Sequence, residues 1–424
     1  MSDEKAKAIR SRHFWERTFY TIKHYRDYRL VWLGSVTEHL GEWMESVAVM
    51  WLIYKLTGLS VYLPLYLALR PFSRSIPLVF FSPVGGWVAD RVNRRNLVVY
   101  TLLWKAALSI ALLVLVRTGT VNVWLVLLNG LLAGFGTVFN HPARHTLIPN
   151  LVKKEHLMNA ITLDNTSVTA SRVVGTPVAG FLIAAFGTGP LFGVRAAGCL
   201  LAVVWLMMIR DVPPALTTPS VSGKKTSHWA ELTEGFRYLK GNRPMLIQVC
   251  MYFFSYFAMQ GFSSFMPIFA NDILKVGPQG FGFLEAAPGV GALIGLFTLA
   301  SVLDFNRKAL YVLVSGAIMT LAIFFFAASP WFYLSLVLLV LIGGMNNTFQ
   351  AVNNTIIQTS VPDGVRGRVM SLRELIAGLG PISGIFVSSL AAVMGVRSAV
   401  GVVAMGFFGM IVLLAILVPQ ARKG

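Results

Sequence analysis

Three carboxylates lie where hydrocarbon is expected. Glu38, Glu42 and Glu45 interrupt an apolar stretch over residues 30–56. At 100° per residue they fall within about 60° of one another, on one face of a helix. A charge at the centre of a bilayer costs about 2.5–3.5 kcal/mol even on insertion scales. Three of them cannot face lipid at that cost. They must border a wet cavity, meet cations or hold protons part of the time. Counter-charges are at hand in other apolar stretches. Arg70 and Arg74 stand four residues apart in the next one, and Lys105, Arg172 and Arg195 follow. Glu285 is the carboxylate of the second half, and Asp164 lies near one end of its stretch. Ion pairs that hold helices together compete with a functional reading for each of these groups. Aromatic and neutral polar residues form a second constellation. Tyr252, Phe253, Phe254, Tyr256, Phe257 and Gln260 share one stretch, and Asn346, Asn347, Gln350, Asn353, Asn354 and Gln358 share another. Amides at such spacing draw a polar stripe down an apolar helix, as the wall of a cavity for a bulky amphipathic molecule would. His141 and His145 read as structural.

The elements that must position these residues follow from composition. Of 424 residues 55% are hydrophobic and 13% charged, with mean hydropathy +0.67. A soluble domain keeps about a quarter of its residues charged. The apolar residues come in runs long enough to cross a bilayer, and spanning backbone must satisfy its own hydrogen bonds, so the runs are helices. Expected spans cover residues 30–56, 61–88, 96–117, 121–146, 157–187, 190–210, 244–272, 280–303, 308–328, 331–358, 369–394 and 397–418. The net charge of +18 alternates in density between them. Lys and Arg crowd the segment before the first span and those after every even-numbered span, while the other connections carry about one each. That is the positive-inside pattern, with both termini cytoplasmic. It argues against a nucleic-acid partner. Cys199 and Cys250 both sit in apolar runs and read as small buried hydrophobes.

Residues 1–29 form a cytoplasmic segment in which Phe14, Trp15, Phe19 and Tyr20 suggest an interfacial helix. Two six-helix bundles, residues 30–210 and 244–418, flank a polar linker over 211–243 with a short amphipathic helix, and residues 419–424 are a cytoplasmic tail. The halves are related in sequence. Thr146-Leu147-Ile148-Pro149-Asn150-Leu151-Val152 after the fourth span matches Thr355-Ile356-Ile357-Gln358-Thr359-Ser360-Val361 after the tenth. Asp90-Arg91-Val92-Asn93-Arg94-Arg95 has a shorter counterpart in Asp304-Phe305-Asn306-Arg307-Lys308. Such a repeat describes an all-α transporter architecture with its binding site near the midplane, between the halves.

Several motifs narrow this further. Gly86-Trp87-Val88-Ala89-Asp90-Arg91-Val92-Asn93-Arg94-Arg95 resembles the loop motif of the major facilitator superfamily, with Asn93 where Gly is usual; Asn tolerates the left-handed backbone that Gly would take. Pro142-Ala143-Arg144, Leu147-Ile148-Pro149 and Asn159-Ala160, with Val361-Pro362-Asp363 and Arg366-Gly367-Arg368-Val369-Met370-Ser371, resemble the drug:proton antiporter branch that holds the macrolide efflux proteins and the enterobactin exporter. The resemblance covers nearly the whole chain. It implies export of small amphipathic molecules from the bacterial cytoplasm, driven by protons, by a protein of the inner membrane. Glu42 matches the acidic position of that branch, and Arg70 a basic one. It further implies that Asp90, Arg91 and Arg94 latch the cytoplasmic side against the eleventh helix, where Arg366 or Arg368 could receive Asp90. Gly175-Thr176-Pro177-Val178-Ala179-Gly180 departs from the antiporter pattern because Thr splits the usual Gly-Pro pair, whereas Gly380-Pro381-Ile382-Ser383-Gly384 keeps it.

No nucleotide-binding loop, zinc-ligand cluster or nucleophile motif points to an enzyme, a cofactor or a metal. The partners expected are the bilayer, protons and a small-molecule cargo, with the chain as a monomer. A carrier of another cargo or direction (lipid, siderophore or nutrient uptake) and a non-transporting membrane sensor are the alternatives.

Overall fold

A computed structural model describes residues 19–58, 61–209, 236–301 and 308–417. Most of the N-terminal segment, nearly all of the linker, the loop at Asp304 and the tail lie outside the described residues. A short helix Tyr20–His24 precedes the long ones. In chain order these are α1 Arg26–Thr57, α2 Leu63–Arg91, α3 Arg94–Arg117, α4 Val123–Leu151, α5 Leu157–Phe186, α6 Gly189–Met207, α7 Arg243–Ser263, α8 Gly277–Ser301, α9 Lys308–Ala328, α10 Phe332–Ser360, α11 Asp363–Leu379, α12 Ile382–Met394 and α13 Val396–Leu417. Ten segments are long and apolar enough to cross a membrane, with α11 and α12 counted as one. The two remaining long helices, α1 and α2, are those that carry Glu38, Glu42, Glu45, Arg70 and Arg74. With these two, the long helices among the described residues are consistent with the twelve expected spans.

Local chemistry fixes the helix ends. The side chains of Asn93, Asn122 and Asn242 accept from the backbone N–H of Asn96, Leu125 and Met245, closing the first turns of α3, α4 and α7. Asn93 therefore does not take the left-handed conformation expected of it. Its φ is −56°, and its amide oxygen is employed as a cap. At the opposite end of the bundle the weakly charged turns rest on glycine in the left-handed region, as at Gly58 and Gly187, with φ of 60° and 77°. This is called the turn end below, and the end rich in Lys and Arg the basic end. Two expected spans are not single helices. The seventh closes at Ser263 and continues through Met266–Ile268 into a π-helical turn Phe269–Ile273. The eleventh breaks at Gly380-Pro381, where proline has no N–H to give the helix ladder.

Helix neighbours repeat between the halves. α4 packs on α2 and α3, and α3 on α6; α10 packs on α8 and α9, and α9 on α13. The two halves meet along α5 against α8 and along α2 against α11 and α12. Small residues make these approaches possible. A Cβ on Gly343 of α10 would stand 2.0 Å from the Pro288 carbonyl of α8, and one on Gly282 of α8 would stand 2.4 Å from the Thr176 carbonyl of α5. Gly180, in the segment where Thr176 splits the Gly-Pro pair, meets the Pro278 carbonyl in the same way, at 2.5 Å. The exposed Phe80, Phe297, Tyr333 and Val393 suit a surface in contact with lipid.

Candidate transport site

The first-span glutamates sit on α1 against α6, whose backbone comes close because of glycine. A Cβ on Gly41 would meet the Arg195 Cα at 3.1 Å, and one on Gly198 the Thr37 carbonyl at 2.7 Å. That proximity brings cations onto the glutamates. Glu38 is 3% exposed and accepts from Lys105 Nζ at 2.8 Å and from Arg144 at 2.9 Å. Arg195 stands 4.0 Å from the Glu38 carboxylate and donates to its backbone carbonyl at 2.5 Å. Arg144 also donates to Asp164, at 3.2 Å. Glu45 lies 3.3 Å from Arg195 Nε and accepts from Ser109 Oγ at 3.1 Å. Glu42 pairs with Arg74, and His39 Nδ1 is 3.7 Å from its other oxygen. Four carboxylates thus face the five cations Arg70, Arg74, Lys105, Arg144 and Arg195. Arg70 is the surplus charge. It is 8% exposed, has no ion pair among the described residues, and its Nε is buried without a hydrogen-bond partner.

The glutamates differ in access. Side-chain exposure is 3% for Glu38 but 21% for Glu42 and 34% for its partner Arg74. Of the three, Glu38 is the most buried ion-pair centre, Glu42 is the most exposed, and Glu45 lies between them at 16%.

A separate pair joins the halves. Arg172 of α5 donates to the Glu285 carboxylate of α8 at 3.3 Å and to its backbone carbonyl at 3.0 Å, with its guanidinium 4.8 Å from the Trp43 ring centre. Nearer the turn end Tyr54 donates to Asp272, Asn271 donates to Tyr54 at 2.6 Å, and Trp51 stacks on Phe281. The named contacts between the halves are thus concentrated toward the turn end.

In the second half the amide stripe divides. Asn347 donates to the Ala292 carbonyl at 3.0 Å and ties α10 to α8. Asn353, fully buried, donates to Gln248 of α7 at 3.0 Å. The Asn346 side-chain oxygen is buried without a partner. Gln350 and Asn354 instead accept from Arg373 of α11, at 3.1 and 2.5 Å, and the guanidinium lies 4.4 Å from the Tyr252 ring centre. Tyr256 stacks obliquely on Tyr252, and Gln260 lies one turn further along α7.

Two residues of this site escaped the sequence reading. Arg144 was noted there for its motif alone, although it bridges Glu38 and Asp164. Arg373 was not noted at all, although it is a charge placed inside an expected span. At the basic end Arg94 donates to the Thr146 carbonyl at 3.3 Å, and Arg366 to the Val361 carbonyl at 3.4 Å. The Asp90 side chain lies outside what the structure describes, as does that of His145. Arg91, Arg368 and His141 are engaged in interactions of their own.

Comparison with known proteins places this arrangement. Residues 21–423 match the family model described as transmembrane secretion effector, within the major facilitator superfamily. Macrolide efflux protein A of Streptococcus pyogenes is 22% identical over 383 residues, which is 89% of this chain and 90% of that one. The enterobactin exporter EntS of Shigella boydii is 27% identical over 292 residues, 68% of each chain. Among solved structures, a mutant of the nucleoside transporter NupG superposes with a TM-score of 0.72 at 14% identity, over 94% of this chain and 100% of that one. An inward-facing bacterial homologue of the lysosomal transporter Spinster does so with 0.69 at 15%, over 94% and 97%.

Proposed function

We propose that this chain, which belongs to the transmembrane secretion effector family of the major facilitator superfamily, exports amphipathic small molecules in exchange for protons. It is a multi-pass membrane transporter and not an enzyme. The export reading is supported by the names of its relatives, one an efflux protein and one an exporter. The observation that carries the proton reading is the difference in access between Glu38 and Glu42. A carboxylate that loads and unloads protons needs water on one side and a counter-charge that can be released, and the partial exposure of Glu42 and its pairing with Arg74 support that role. Protonation of Glu42 would free Arg74, and the altered charge balance would bias the two halves toward the opposite tilt. The basic distribution supports a cytoplasmic basic end with both termini there, and we take the membrane as a bacterial inner membrane and the chain as a monomer. Contacts concentrated toward the turn end then suit a cavity that opens to the cytoplasm, where an exporter loads. Latching that side falls to Asp90, Arg91 and Arg94 with Arg366 and Arg368. Tyr256, Gln260, Asn346, Gln350 and Asn354 are the lining assigned to the cargo, while Asp164 and Glu285 serve the carboxylate network.

The test uses inverted vesicles and a panel that includes a macrolide and a catecholate siderophore. Wild type is expected to accumulate at least one compound only under a pH gradient. Glu42→Gln is expected to keep the wild-type melting temperature and lose that accumulation. Undiminished pumping by Glu42→Gln would refute the role given to Glu42.

A further inference from the structure

The sequence repeat has a register that continues past the matched strings. Thr146 aligns with Thr355, and Lys154, which opens the 3-10 turn before α5, aligns with Asp363, which opens α11. The same register sets Arg144 against Asn353 and Asp164 against Arg373. In the first half, therefore, the cation stands on α4, and its α5 partner is a carboxylate. In the second half the cation stands on α11, and its α10 partners are amides. The first arrangement neutralises its charge and the second does not. Among the described residues no carboxylate lies within ion-pair distance of Arg373.

The surroundings are those of a receptor. The guanidinium is held against the Tyr252 face and by two amide oxygens, so its orientation is fixed before anything binds. Two of its five N–H donors are used in this way, and Nε–H is buried with no acceptor. An arginine inside a membrane bundle that is braced by groups taking none of its charge, and that has no carboxylate partner among the described residues, suits an anion. Arg70 adds to this independently, since it leaves the cluster of Glu38, Glu42, Glu45 and Asp164 with one more cation than carboxylate among the described residues.

We propose that Arg373, braced by Tyr252, Gln350 and Asn354, docks an oxyanion, a carboxylate or its equivalent, borne by the transported molecule. The cargo class is then an anionic amphiphile whose aromatic or apolar body lies along the α7 aromatics. This rests on the exporter reading above but is tested by binding alone. The probes are pyrenebutyrate, pyrenebutanol and pyrenebutylamine, which share one body and differ in head-group charge. They are titrated against the full chain in phosphatidylcholine nanodiscs by energy transfer from tryptophan, with empty nanodiscs subtracted. Wild type is expected to bind the carboxylate about tenfold or more tightly than the alcohol or the amine, the scale of a charge-assisted hydrogen bond. Arg373→Gln, and Asn354→Asp, which supplies a carboxylate in place, are each expected to erase that preference. Arg373→Lys should keep part of it. Retained preference in Arg373→Gln, or tighter binding of the amine by wild type, overturns the proposal. So does displacement of pyrenebutyrate by phosphatidylglycerol added to the nanodisc, which would make a lipid head group the occupant. Binding as expected in a chain that moves nothing across vesicles would instead count against the exporter reading.

Discussion

Glu38→Gln should damage the fold rather than the coupling. Glu38 is 3% exposed and is shared by Lys105 at 2.8 Å, Arg144 at 2.9 Å and Arg195 at 4.0 Å. The substitution keeps the shape and deletes the charge, so three cations are left around a neutral amide in a largely buried site. Breaking one buried ion pair by removing a partner costs about 3–5 kcal/mol. Arg144 keeps Asp164 and Arg195 keeps Glu45, which softens the loss for two of the three. Lys105 has no second carboxylate among the ion pairs found here, so its uncompensated charge dominates. For a chain of 424 residues a loss of that order lowers the melting temperature by roughly 3–6 °C. Thermal unfolding in one fixed detergent, followed by tryptophan fluorescence, measures it. Glu38→Gln combined with Lys105→Met removes the stranded cation and should recover at least about 1 kcal/mol, a coupling expected of residues in contact. Glu42→Gln serves as the contrast, because its pair is partly solvated and such pairs contribute about 1 kcal/mol or less. A Glu38→Gln protein that melts within about 2 °C of wild type, yet loses transport, would refute the assignment of Glu38 to structure.

Two further substitutions probe the helix approaches. Gly282→Leu places a branched side chain where even a Cβ stands 2.4 Å from the Thr176 carbonyl, so it should wedge α8 from α5 and open the turn end. A cysteine at Phe281, which is fully buried in the parent, should then react with a soluble maleimide severalfold faster than without the wedge, in a background lacking Cys199 and Cys250; equal rates would show that α5 and α8 yield without parting. Gly343→Val, whose Cβ would stand 2.0 Å from the Pro288 carbonyl, should abolish the yield of monodisperse protein in size-exclusion chromatography, while Gly406→Val, with open space around it, should not.

The scaffold was legible because its signals are local. Apolar runs of bilayer length, glycine at the weakly charged turns and proline after a helix end all act within a few residues, and the helices fall where those signals put them. The break at Gly380-Pro381 was legible in type too, since proline cannot complete the ladder, yet an apolar run on both sides disguised it as one span. The pairing of charges was not legible. Spacing along α1 put Glu38, Glu42 and Glu45 on one face, but which cation meets which glutamate depends on where α3, α4 and α6 cross it. Arg74 took Glu42, while Arg70, one turn away and equally eligible by spacing, took none.

A cost argument made from a single residue cannot resolve this, because hydrocarbon demands that every charge be satisfied without saying by what. A balance across the whole interior can. Among the described side chains of the interior, the ion-paired carboxylates Glu38, Glu42, Glu45, Asp164 and Glu285 are outnumbered by Arg70, Arg74, Lys105, Arg144, Arg172, Arg195 and Arg373, and Arg70 and Arg373 are the two cations without an ion pair there. One is on α2 and the other on α11, helices that pack against each other across the halves. A chain that only had to hold its bundle together would gain by replacing both with apolar residues of similar size. Their presence is a cost to the fold that an anionic cargo, bound between the halves, would offset.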